Sequence, residues 1–191
     1  MAKHIFKLEL DLKQHSKAIE TYLKKDAPRK MGIEAKKHYR KSFDDGGFTD
    51  SYLEKWKPAK RTNSNSVWYG FEYRAKSTPP DSHPKRWKAK KGYEARKPNA
   101  ITNYSPAATK RTTLVGTAST LKNSIKYRSG NGEVRIFSTV HYAKLHNEGG
   151  TIKVFGKTTR RLPQRKFMGK SNKLNARIKF IIKKDINQLL K

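Results

Sequence analysis

Phe6, Leu8, Leu10 and Leu12 occupy every second position, with Lys7, Glu9 and Asp11 between them. A period of two predicts a strand with one buried face. At Gln14 the period changes. Ala18, Ile19, Tyr22 and Leu23 fit a short helix ending near Asp26, and Pro28 suits the first turn of a second helix. Met31, Ala35, Tyr39 and Phe43, four apart, form the stripe of that second helix. It should stop at Asp44-Asp45-Gly46-Gly47, because glycine leaves a helix most readily through the left-handed region.

Sustained periodicity disappears between Pro58 and Thr112. Prolines and Ser/Asn/Thr clusters fill this stretch, which is long for an irregular connection and so reads as functional or disordered. Trp68, Tyr69, Phe71, Tyr73, Trp87, Tyr93 and Tyr104 argue against plain disorder, which is poor in aromatics. Periodicity then returns. Thr113 to Tyr127 predicts a short helix through Leu121 and Ile125, and Ser129-Gly130-Asn131-Gly132 a turn. Val134, Ile136 and Ser138 alternate as a strand, and Thr151 to Phe155 forms another, followed by a turn at Gly156–Thr159. Ser171 or Asn172 caps a terminal helix whose apolar face runs through Leu174, Ile178, Ile181, Ile182, Ile186 and Leu189, with Asp185 interrupting it. These elements predict an α+β fold: a small, mostly antiparallel sheet packed by N-terminal helices and a C-terminal helix. One domain spans residues 1–191, with a basic insertion at 59–111.

Charge changes this picture more than size does. Lys and Arg number 45 against 15 Asp and Glu, a net +30 in 191 residues. Such an excess repels itself unless an anionic partner neutralises it. Residues 60–111 alone carry 13 Lys and Arg against Glu72, Asp81 and Glu94. The absence of cysteine excludes a disulfide scaffold and any Cys-ligated metal site. The N-terminal stretch lacks the continuous apolar core of a signal peptide, and no run approaches a membrane span, so a soluble, intracellularly made protein without membrane contact is expected.

Chemistry is scarce. His141, His146 and Glu148 form a zinc set only if forced, since such sites want three or four ligands at a characteristic spacing. His146-Asn147-Glu148 superficially resembles a His-Asn-His nuclease, but the terminal helix supplies no second histidine. The acidic residues are too scattered for a two-metal centre, and no phosphate-cradling glycine pattern follows a strand. No catalytic, metal or cofactor residues are therefore assigned. Lysines and arginines interleaved with aromatics fit phosphates and bases, but equally an acidic protein neighbour. Trp68, Tyr69, Arg86, Trp87, Lys88, Lys90, Lys91 and Tyr93 are the candidate contacts of a partner-facing arm standing outside the core.

The most specific stretch is Tyr142-Ala143, followed by His146-Asn147-Glu148-Gly149-Gly150 and then Pro163, Arg165, Phe167 and Gly169. As scaffold, Tyr142 and Ala143 would end a strand, and Gly149-Gly150 would allow a sharp turn and a close backbone approach. Arg165 would offer a planar fork to a carboxylate, and Phe167 would pin the segment to the core. Together with Gly47-Phe48, Trp56-Lys57-Pro58 and Leu114 to Ile125, this order resembles the phage virion morphogenesis family, the tail-completion proteins of Mu-like phages. The resemblance covers about residues 1–58 and 112–191. It implies a non-enzymatic virion protein of the tail or neck, assembled in the host cytoplasm. Its copies would form a homo-oligomeric ring, sixfold as tails are, that ends tube growth and meets the tail tube and head–tail connector proteins. The alternatives are a basic nucleic-acid-binding protein with non-specific DNA contact, and a metal-dependent nuclease.

Overall fold

A computed structural model describes residues 15–66, 68–72, 75, 103–154 and 158–190. The strand expected at Phe6–Leu12 lies outside these residues. The two N-terminal helices are not separated at Asp26. Instead α1 (15–21) passes through a π turn, Tyr22–Asp26, directly into α2, Ala27–Asp45. Pro28 accounts for the wide turn, because it has no N–H to give the Lys24 carbonyl. The Ala27 N–H reaches back to the Tyr22 carbonyl, and the Lys24 carbonyl accepts the Gly132 N–H at 3.0 Å from a distant hairpin turn. α2 ends at Gly46, which takes φ 65°.

The fold is α+β, but the expected sheet is divided. Among the described residues there are three two-stranded antiparallel hairpins: β1 Gly47–Thr49 with β2 Leu53–Lys55, β3 Ile125–Gly130 with β4 Glu133–Ser138, and β5 Gly150–Val154 with β6 Thr158–Leu162. Short helices join them: α3 Pro106–Lys110, α4 Thr120–Asn123 and α5 Ala143–Glu148. The helix expected over residues 113–127 shrinks to α4. The Ser124 hydroxyl turns back onto the Leu121 carbonyl, and Ile125 enters β3 as the fully buried partner of Ser138. The two-residue turn Asn131-Gly132, with φ 46° and 82°, sets the right-handed twist that draws residues 125–130 into a hairpin. β6 was not expected, because Arg160 and Arg161 face water and leave no apolar alternation.

Phe43 of α2 packs with Trp56, Leu121, Ile125, Ala143 and Phe167 to form the core. α2 supports the β3–β4 hairpin on one side, where Gly32 leaves room for the Tyr127 ring. A Cβ at that glycine would lie 2.2 Å from the ring. α6, Asn172–Leu189, also packs on α2 and is capped by the Ser171 hydroxyl oxygen, which accepts the Leu174 N–H. Leu174 is buried, whereas Ile178, Ile181, Ile182, Ile186 and Leu189 are half-buried. Asp185 belongs on this face because Tyr22 Oη donates to it at 2.6 Å and Lys30 Nζ at 2.7 Å. No helix among the described residues is long and apolar enough to cross a membrane.

The ends of the segment read as an arm are built into the body. Lys60–Thr62 form a 3₁₀ turn, Phe71 bridges Tyr104, and both Tyr104 and Ala108 are buried. Gly70, at φ 68°, lets the Tyr104 ring lie against the backbone. Packing of these small and aromatic residues therefore overrules the expectation that everything from Lys60 to Arg111 stands outside the core. Trp68, two-fifths exposed, meets Phe71 edge-on, and Tyr69 is half-buried. Arg86, Trp87, Lys88, Lys90, Lys91 and Tyr93 lie outside the described residues.

Candidate functional site

Tyr142 and Ala143 open a helix and do not end a strand. β4 stops at Ser138, whose hydroxyl engages that of Ser124 at 2.6 Å, and Ala143-Lys144-Leu145 are good helix formers. Tyr142 stands at the N-terminus of α5, and Ala143 is buried in the core. Gly149 ends α5 with φ 75° and ψ 179°, backbone that only glycine adopts readily. A Cβ there would sit 2.9 Å from the Gln164 main-chain nitrogen. The chain then turns at once into β5, and Gly150 pairs with Leu162 just before Pro163.

This turn brings the two halves of the motif together. Arg165 N–H donates to the His146 carbonyl at 2.8 Å. The Asn147 side-chain oxygen accepts both the Phe167 and the Met168 N–H, each at 2.9 Å. Trp56 then joins from a third part of the chain, its indole N–H donating to the Lys166 carbonyl at 2.7 Å. The Arg165 fork, expected to meet a carboxylate, instead rests Nε and Nη2 on the Lys57 carbonyl, both at 3.3 Å. Phe167 is fully buried with its ring 5.1 Å from that of Phe43, and the Tyr39 hydroxyl donates to the Gly169 carbonyl at 2.9 Å. Glu148 remains exposed. The motif thus works as a clasp for the main chain, and Asn147 is its centre. Its role was visible only as an anomaly, a poor helix former in the last turn before two glycines.

Electrostatically the clasp is cationic. His146 lies behind it, and burial, reinforced by Arg165, lowers the pKa of its imidazole. Burial likewise lowers Arg165 and Arg61, and Arg61 is further opposed by Arg111. Arg61 is anchored by Nη2 donating to the Thr112 carbonyl at 2.8 Å and the Val115 carbonyl at 3.0 Å. Glu72 answers Arg111 at 2.6 Å and accepts the Thr117 hydroxyl. Hydrogen bonds from Thr117, Ser105 and Arg111 hold its carboxyl down at about 2. This cluster is not legible in the sequence, because its side chains find their partners far along the chain, as Arg165 does 108 positions away at the Lys57 carbonyl. Among the described residues no three His, Asp or Glu side chains come together as a metal-holding group. Tyr142 stands edge-on between the rings of His141 and His146.

The phage virion morphogenesis family model matches residues 82–187. The match takes in α3 to α5 and all but the last two residues of α6, and with them the clasp from Tyr142 to Gly169. It also begins inside the stretch expected to have no counterpart, and it leaves Gly47-Phe48 and Trp56-Lys57-Pro58 outside. No curated protein and no solved structure matches the chain.

Proposed function

This chain belongs to the phage virion morphogenesis family, and from that premise we propose that it completes the tail or neck of a virion. Copies join as a sixfold ring at the head-proximal end of the tail, halt tube growth and present a surface to the head connector. The family match carries this reading. The clasp supports it: Asn147, Gly149 and Arg165 hold main chain to main chain and Phe167 pins the segment to the core, a framework for a rigid subunit and not a constellation that makes or breaks bonds. A closed head-to-tail ring presents the same two patches at every joint. With +30 per subunit the ring needs acidic neighbours, so the isolated protein is expected to stay monomeric until a tail end templates it. Disrupting the gene should leave filled heads and unjoined tails of irregular length under the electron microscope. Normal, infectious particles from the disrupted gene would reject the proposal.

A second reading, non-specific DNA contact, draws on one groove of about 580 Å³ beside α2, where Lys36, Lys37, Arg40 and Lys122 gather. Retention of duplex DNA at moderate salt would favour it.

A further inference from the structure

Two cavities flank Arg61, and Gly116 lines both. The first, about 320 Å³, holds Arg111, Thr117, an apolar wall from Phe71 and Val115, and the Glu72 carboxylate bound to them. The second, about 340 Å³, has the same make-up: Arg61 and Arg165, the hydroxyl residues Thr113 and Thr120, and an apolar wall from Leu114 and Leu121. Tyr142 and His146 line it as well, and no acidic residue is among its described lining. Among the described residues two buried side-chain nitrogens make no hydrogen bond, and each belongs to a residue that lines one of these cavities: Arg111, whose Nε stays unpaired although Glu72 is bound to its Nη2, and His146, through Nδ1.

We propose that the second cavity receives an acidic side chain from a neighbouring virion protein, its carboxylate between Arg61 and Arg165 and its stem against Leu114 and Leu121. Glu72 shows within this chain what such a site accepts. A carboxylate fits better than nucleic-acid phosphate because both arginines are recessed and tied to main-chain carbonyls. A docked carboxylate would relieve two half-buried guanidinium groups. The proposal rests on the reading of this protein as one that assembles with others, but its test needs no virion.

The probe is a blocked synthetic peptide with a Glu-Leu-Asp core, titrated into the full-length protein by calorimetry. Controls are its Gln/Asn analogue, inorganic phosphate and a short DNA duplex. Gly116→Phe crowds the lip that the two cavities share: the glycine has nothing within 4 Å of a Cβ and no left-handed φ, so folding should persist, which an unchanged melting temperature would verify. Gly130→Phe, equally open but on β3, serves as the matched surface change. The acidic peptide should bind, shift the His146 ring resonances, and lose about tenfold or more in affinity in Gly116→Phe alone. Equal binding of the neutral analogue, no effect of Gly116→Phe, or displacement of the peptide from the cavity by phosphate or DNA would overturn the assignment. Should Gly116→Phe fail to fold, Arg165→Gln supplies the same comparison. A chain that binds the peptide in the cavity yet is absent from virions would preserve this site and remove the proposed function.

Discussion

Asn147 satisfies two main-chain N–H groups with one oxygen, so its loss strands two donors where the protein is half-buried. Asn147→Ala should cost about 2–4 kcal/mol on the usual penalty per unsatisfied group, whereas Asn147→Asp keeps the acceptor and should cost much less. Urea denaturation of the two variants checks this. Equal destabilisation would mean that the oxygen is not what holds residues 167 and 168. Gly149→Ala is a separate matter of shape, combining a conformation nearly reserved for glycine with a clash against Gln164. It should destabilise by at least about 1–3 kcal/mol in the same measurement. Glu72 gives the residue-scale pH dependence. Its carboxyl lies at about 2 in the folded chain against an ordinary value of 4.5. Its stabilisation is therefore complete above pH 4.5 and lost as pH falls through about 2. Glu72→Gln should melt lower than the parent at neutral pH, and the gap should close across that acid window. A gap independent of pH would deny the carboxylate this role.

At the scale of elements, α6 shows what pattern alone delivers and what it leaves out. Ser171 as cap and the Leu174-to-Leu189 face could both be read from the sequence, because capping and a period of 3.6 are local properties. How deeply the face is buried could not be read, since that depends on how much of α2 is there to cover it. Asp185 looked like an interruption until Tyr22 and Lys30, more than 150 positions away, supplied its partners. Removing everything from Ser171 onward should lower stability strongly through Leu174 and that polar joint, while Phe180→Ala, three-fifths exposed, should change it by less than about 0.5 kcal/mol. Thermal melts of the two variants distinguish these cases. The expected helix over residues 113–127 failed for a reason of the same kind: α4 and β3 share Leu121 and Ile125 as core residues, and the Ser124 hydroxyl on the Leu121 carbonyl together with the Asn131-Gly132 turn favours a helix plus a strand over one helix. Phe167 and the glycine turn of the clasp were legible as motif. The Lys57 carbonyl as the seat of Arg165 was not, because nothing in a side chain's chemistry says which distant carbonyl will face it.

For the whole molecule, charge and family point the same way. A chain at +30 with a folded, clasped body fits the proposed place among acidic neighbours, and the groove beside α2, where Asp44 pairs with Lys122 among the other lysines, is where the second reading would put DNA. If DNA contact is incidental, affinity should fall steeply with salt, by close to one power of salt concentration per phosphate neutralised, and show no sequence preference. Retained tight binding at high salt would instead promote DNA to a genuine partner. The proposed role puts this chain in the particle itself, and labelling intact virions with a tagged copy and imaging them by electron microscopy tests that placement. A single focus of label at the junction of head and tail is expected, with a ring of copies there in the averaged density. Virions and tail intermediates that both lack the protein would contradict it.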